Sequence, residues 1–169
     1  LIPVANRAIA WDVDVDSHDR VVVAAMEELG LLEPDAQARL RYRSLLPLVP
    51  PEARPLGDVL AVHAAGDSVV FRTRSRLLVF RDETMRLLPE EARGSFRVGD
   101  EVWVDTASGL RRFDGTGLGP SIALPDTAPA PIEALARLAD GRLVAAIAGR
   151  GLVVRDGARE APFGPHGEL

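Results

Sequence analysis

The stretch WDVDVDSHDR, residues 11 to 20, concentrates side chains that could do chemistry. Carboxylates at every second position suggest a calcium loop, and Ser17, His18 and Asp19 are the residue types of an acyl-transfer triad. A calcium loop beginning at Asp12 would take oxygen ligands from Asp12, Asp14 and Asp16. It then needs Gly at its sixth position and Glu at its twelfth, where this chain has Ser17 and Val23. The triad fails because successive residues of an extended chain point apart, whereas triads are assembled from separate segments. Read as a strand, the stretch projects Asp12 and Asp14 to one side and Val13 and Val15 to the other, and residues 16 to 19 turn into RVVVAA. The structural reading is the favoured one; the alternative is channel-facing carboxylates that bind a ligand or cation, with Asp14 and Asp16 as the candidates.

Elsewhere the residues with binding chemistry are sparse. His63, Arg97 and Arg137 fall at or near comparable places on the first strands of three units of the repeat described below, which makes them candidates for facing a ligand. The alternative for each is a solvated side chain at a strand end. DGTGLG at 114 to 119 has the glycine content of a phosphate loop, but Pro120 follows and no helix start is available to hold an anion, so it reads as a turn. His166 falls in an irregular end and carries no assignment. Neither a metal centre nor a cofactor is expected.

The elements that would position these residues follow from composition and repeat. The chain has 169 residues, 47% apolar and 27% charged, which suits a globular domain with a real core. A net charge of −5 with dispersed arginines gives no basic surface for nucleic acid, and the lack of cysteine excludes disulfides, thiolate metal sites and cysteine nucleophiles. The sequence starts at Leu1 without a basic-then-apolar leader and holds no apolar run near 18 residues, so neither a signal peptide nor a membrane helix is read in it. The expectation is a segment of a longer protein, with neighbouring sequence on both sides.

Four stretches align: DRVVVAAMEELGLLEPDA from Asp19, DSVVFRTRSRLLVFRDE from Asp67, DEVWVDTASGLRRFDG from Asp100 and GRLVAAIAGRGLVVRDG from Gly141. Each reads as turn, apolar strand, polar break, second strand, turn. With Gly30, Arg76, Gly109 and Gly151 taken as equivalent, the separations are 46, 33 and 42 residues, near the roughly 40 of a four-stranded propeller blade. AWDVDVD, DVLAVHA, GSFRV and IEALARL supply a strand before each stretch, and variable segments such as ARLRYRSLLPLV and TGLGPSIALP supply one after it. PDAQARLRYRSLL and DETMRLLPEEAR could instead form short helices. The alternation of Arg39, Arg41 and Arg43, and of Arg72, Arg74 and Arg76, favours strands with one solvated face. The fold class is therefore all-β: about four four-stranded blades, at 9–55, 56–93, 94–131 and 132–163.

The third and fourth units resemble the two-component regulator propeller repeat. Trp103, Thr106, Gly109, Leu110, Phe113, Asp114 and Gly115 carry the likeness in one, and Asp140, Gly141, Leu143, Gly151, Leu152, Asp156 and Gly157 in the other. The first unit matches at Asp16, Val21, Gly30 and Leu31; the second has Arg76 where the pattern has Gly and Val70 where it has Trp. Structural roles are expected for Trp103, Gly109, Asp114, Gly115, Gly151, Asp156 and Gly157: the indole plugs the seam between blades, and Gly and Asp-Gly form the turns.

The resemblance implies a noncatalytic sensory β-propeller, part of a roughly seven-bladed one. It would form the periplasmic or extracytoplasmic input of an inner-membrane histidine kinase or diguanylate cyclase and respond to a small-molecule or glycan ligand. Implied partners are neighbouring blades and an output domain beyond this chain, with a possible homodimer of the receptor. The rival classes are a propeller enzyme of lyase or lactonase type, which would bind metal near His63, and a protein-interaction scaffold. Blade faces left open in so short a piece predict self-association.

Overall fold

The computed structural model describes residues 2–122, 130–156 and 159–162, with the backbone alone at 155, 156 and 159–162. Among these residues sixteen strands form four four-stranded antiparallel sheets, each a simple meander in chain order. The first holds β1 (Ala10–Val15), β2 (Val21–Ala25), β3 (Glu28–Pro34) and β4 (Leu40–Ser44). The second holds β5 (Ala61–Ala65), β6 (Ser68–Arg72), β7 (Leu77–Arg81) and β8 (Thr84–Leu87). The third holds β9 (Ala92–Val98), β10 (Glu101–Thr106), β11 (Gly109–Phe113) and β12 (Leu118–Ile122), and the fourth β13 (Ile132–Arg137), β14 (Leu143–Ile147), β15 (Gly151–Asp156) and β16 (Arg159–Pro162). These are propeller blades. The two segments with helix-forming composition contribute β4 and β8, and among the described residues helix is confined to single 3-10 turns at Leu46–Leu48 and Pro51–Ala53.

The chain divides into two compact units, Leu1–Ala92 with Asp114–Gly117, and Arg93–Phe113 with Leu118–Leu169. In the first, β2 and β3 of one sheet and β5, β6 and β7 of the next bury one apolar layer: Val22, Ala24, Leu29 and Leu31 against Val62, Val69, Phe71, Leu78 and Phe80. Burying each large side chain contributes roughly 1.5–3 kcal/mol. Ser68 Oγ donates to the Gly115 carbonyl at 2.8 Å and Arg86 to the Thr116 carbonyl at 2.7 Å, which ties residues 114–117 to β6 and β8. In the second unit Trp103 lies with Leu110, Ile132, Leu143, Ala145 and Val153, so the indole fills the space between the third and fourth sheets.

Two details of the repeat differ from the sequence reading. Gly30 is not a turn residue. β3 opens at Glu28, and the left-handed residue before it is Glu27 (φ 53), so the glycine alignment is two residues out of step in this sheet. Gly30 is instead required by packing, because a Cβ there would run into the Tyr42 ring and the Arg43 carbonyl. Arg72, Arg74 and Arg76 do not alternate along one strand either. β6 ends at Arg72 and β7 starts at Leu77; between them the Thr73 N–H bonds the Arg76 carbonyl, and Thr73 Oγ1 accepts the Arg76 N–H, both at 3.0 Å, which closes a turn.

Candidate functional site

Asp12 and Asp14 answer the question their spacing raises. Each carboxylate bridges two backbone amides. Asp12 Oδ1 accepts the N–H of Val13 at 2.9 Å and its Oδ2 that of Val62 at 3.0 Å; Asp14 Oδ1 accepts the N–H of Val15 at 2.8 Å and its Oδ2 that of Ala64 at 2.8 Å. Both β1 and β5 are the first strands of their sheets, so these amides lie along edges with no strand partner. The carboxylates satisfy the edge amides and clip the two sheets together. Val13 and Val15 point to the opposite side and are 58% and 51% exposed.

Asp16 does a different job. It is buried, and its Oδ1 accepts the N–H groups of His18 and Arg20 at 2.9 Å while its Oδ2 takes the Arg20 guanidinium at 2.8 Å. Burial alone would raise its pKa; the Arg20 amide and guanidinium and the His18 amide outweigh that and hold it below its ordinary 3.8. Asp35 repeats the arrangement in the β3–β4 loop, accepting from Gln37 and Arg39 at 2.9 and 3.0 Å. The duplication identifies an Asp-capped loop, with Asp19 (φ 58) and Ala38 (φ 57) at matching positions. Ser17, His18 and Asp19 do not form a triad: Ser17 Oγ sits between His18 Nδ1 at 3.3 Å and Asp67 Oδ1 at 3.4 Å, so the hydroxyl, not the imidazole, is the central group.

The other candidates separate between the two units. His63 is half-buried in β5, opposite Val70, between the two amides that Asp12 and Asp14 hold. Arg97 is exposed and donates from Nε to the Gly99 carbonyl at 3.3 Å. Arg137 donates to the Gly141 carbonyl at 3.1 Å and pairs with Glu101. Glu101 also accepts from Arg112 at 2.8 Å and from Trp103 Nε1 at 3.1 Å. Burial works against its charge, but Arg112, Trp103 and Arg137 together lower its pKa. Arg137 thus belongs to a charge network joining the third and fourth sheets.

The turn residues take the conformations glycine allows: Gly109 has φ 115 and Gly151 φ 84, each opening the third strand of its sheet. Asp114 Oδ1 accepts the N–H groups of Thr116 and Gly117 at 2.8 Å, and Gly115 (φ 98) completes that turn. Asp156 closes β15 opposite Arg159, and Gly157 lies outside the described residues.

Sequence reasoning missed Asp105. It is fully buried; Oδ1 accepts from Arg93 at 2.6 Å and Oδ2 from the Ile132 N–H at 3.2 Å, so it fastens the third sheet to the first strand of the fourth. Its place in VWVDT, inside an otherwise apolar strand, was the available signal. Among the described residues no three His, Cys, Asp or Glu side chains converge as a metal site would require, and no helix is long and apolar enough to cross a membrane.

No family model matches the sequence, and no curated protein matches it. Solved structures do resemble its fold. The extracellular domain of the hybrid two-component system BT4673 from B. thetaiotaomicron superimposes with a TM-score of 0.66 at 12% identity, covering 96% of this chain and 22% of that one. That of BT3049 from the same organism gives 0.60 at 13% identity, covering 87% and 20%. Virginiamycin B lyase from Staphylococcus aureus, in a catalytically inactive H270A form with quinupristin, gives 0.65 at 10% identity, covering 99% and 60%. The chain spans less than two thirds of each of these proteins.

Proposed function

We propose that this chain is a noncatalytic, ligand-sensing β-propeller segment in the extracytoplasmic part of a bacterial membrane receptor whose output is a histidine kinase or diguanylate cyclase. The observation that carries the reading is the likeness of nearly the whole chain to extracellular domains of hybrid two-component systems. The polar side chains support it. Asp12, Asp14, Asp16 and Asp105 are engaged by backbone amides and arginines that hold sheets and loops together. Ligand binding would be communicated through those sheet contacts to the output domain. The test uses the full-length receptor reconstituted in vesicles: kinase or cyclase output should change when ligand is added on the side that carries this segment. A full-length sequence ending without any output domain would overturn the proposal.

A second reading, a propeller lyase, is favoured by the likeness to virginiamycin B lyase, of which this chain covers 60%. Incubation with quinupristin and divalent cation, followed by mass spectrometry, separates the two. Conversion of the compound supports the lyase and removes the noncatalytic reading.

A further inference from the structure

Away from the first strands, three loops of the first unit meet: the β2–β3 turn at Met26 and Glu27, the connection at Pro55 to Asp58, and the β6–β7 turn at Thr73 to Arg76. They border an open cleft of about 540 Å3, within the size range of small-molecule sites. Its walls are fixed by backbone bonds. The Glu27 N–H donates to the Gly57 carbonyl at 3.1 Å, Met26 and Asp58 form a β-bridge, and the Thr73–Arg76 turn is closed by the two bonds described above. A site built this way pays little ordering entropy when a ligand enters.

The charges lining the cleft are evenly divided. Arg74 and Arg76 project from one turn; Asp58 and Glu27 come from the other two loops. Arg74 pairs with Asp58 at 3.3 Å, with exposures of 79% and 24%, a solvent-screened contact that a competing ligand can replace. The Arg76 guanidinium lies 3.5 Å from the Pro55 carbonyl, too far for a strong bond. Buried Leu56 and exposed Met26 give the cleft an apolar side.

We propose that this cleft binds a zwitterion of the amino-acid or short-peptide class. Its carboxylate would take the two guanidiniums, its ammonium Asp58 and Glu27, and its side chain the apolar wall. A simple anion would face two carboxylates, and a neutral sugar would bring no charge to meet any of the four groups, so charge pattern sets the specificity. As a signal input the site rests on the sensing reading above; the binding step stands on the cleft alone.

The test is titration calorimetry of the 169-residue chain with the dipeptide Ala-Leu, its N-acetyl form and its C-terminal amide. Ala-Leu should bind with a dissociation constant at or below about 1 mM, and each capped form at least about tenfold more weakly. Arg76→Gln and Glu27→Gln should each weaken binding about tenfold while leaving the melting temperature in place, and amide shifts on titration should centre on Glu27, Gly57 and Ser75. No heat and no shifts at millimolar dipeptide, or equal binding of the capped forms, would overturn the assignment. If Ala-Leu binds but leaves the full-length receptor's output unchanged, the site stands and its role as the signal input fails. If it does not bind, the site fails and the sensing reading is untouched.

Discussion

Asp14 of β1 holds the backbone of Ala64, fifty residues away in β5, through Oδ2 at 2.8 Å, while its other oxygen accepts the N–H of Val15. One side chain thereby satisfies an edge amide on each of two sheets. Removing it should leave two amides short of an acceptor, at roughly 1–3 kcal/mol. Asp14→Ala is expected to lower the denaturant midpoint accordingly. Asp14→Asn, which keeps one acceptor oxygen, should lose less. An unchanged midpoint for Asp14→Ala would show that water replaces the clip at no cost.

The second unit makes the corresponding test with a fully buried group. Asp105 takes both the Arg93 guanidinium at 2.6 Å and the Ile132 amide. Arg93 Nε and Nη1 are buried without hydrogen-bond partners, so the pairing through Nη2 matters more. Asp105→Ala should destabilise by about 3–5 kcal/mol, since it strands a partly buried cation. The loss should appear in thermal unfolding as an early transition. If Asp105→Ala melts with the wild type, the buried pair does not fasten these sheets.

Much of this architecture was readable from residue types. Apolar runs such as VVVAA after Asp19-Arg20 and SVVFR after Gly66-Asp67 specify hairpins through local sterics and alternation, and the four sheets fall on the four aligned stretches. Trp103 was legible because a large apolar side chain at that point of a repeat needs a neighbouring sheet. What the sequence could not display was pairing at a distance. Nothing near Asp12 or Asp14 names Val62 or Ala64 as their partners, and an edge amide has no compositional signature. Gly30 misled the alignment because close packing against Tyr42 and a left-handed turn both call for glycine. The cleft was hidden for the same reason as the clips: its charges come from three loops that only the fold brings together.

The Asp16 loop makes stability depend on pH. Asp16 titrates below its ordinary 3.8 when folded, because its ionised form accepts the amides of His18 and Arg20 and pairs with the Arg20 guanidinium. A carboxylate with a depressed folded pKa stabilises fully above its unfolded pKa, and that stabilisation disappears as the pH falls through the folded value. Asp16→Asn should therefore be less stable than wild type at pH 7 by about 1–2 kcal/mol, with the gap holding down to about pH 5 and closing below about pH 4. Urea titrations across that range check it. A gap independent of pH would mean that the loop does not need the charge.

The far side of the first sheet bears the last prediction. Trp11, Val13 and Val15 on β1 are 49%, 58% and 51% exposed, and Leu40 on β4 is 52% exposed. Val13 stands opposite Val23, so the exposed valines continue the sheet's apolar surface rather than interrupting it. A contiguous apolar face of this kind drives association in water. The chain should therefore show a scattering mass that rises with concentration and falls as temperature is lowered, because the hydrophobic contribution weakens on cooling. Val13→Lys with Val15→Lys should restore a single monomeric mass while shifting the unfolding free energy by no more than about 0.5 kcal/mol per site, since neither side chain is buried. If the wild-type chain stays monomeric at every concentration, this face does not drive association.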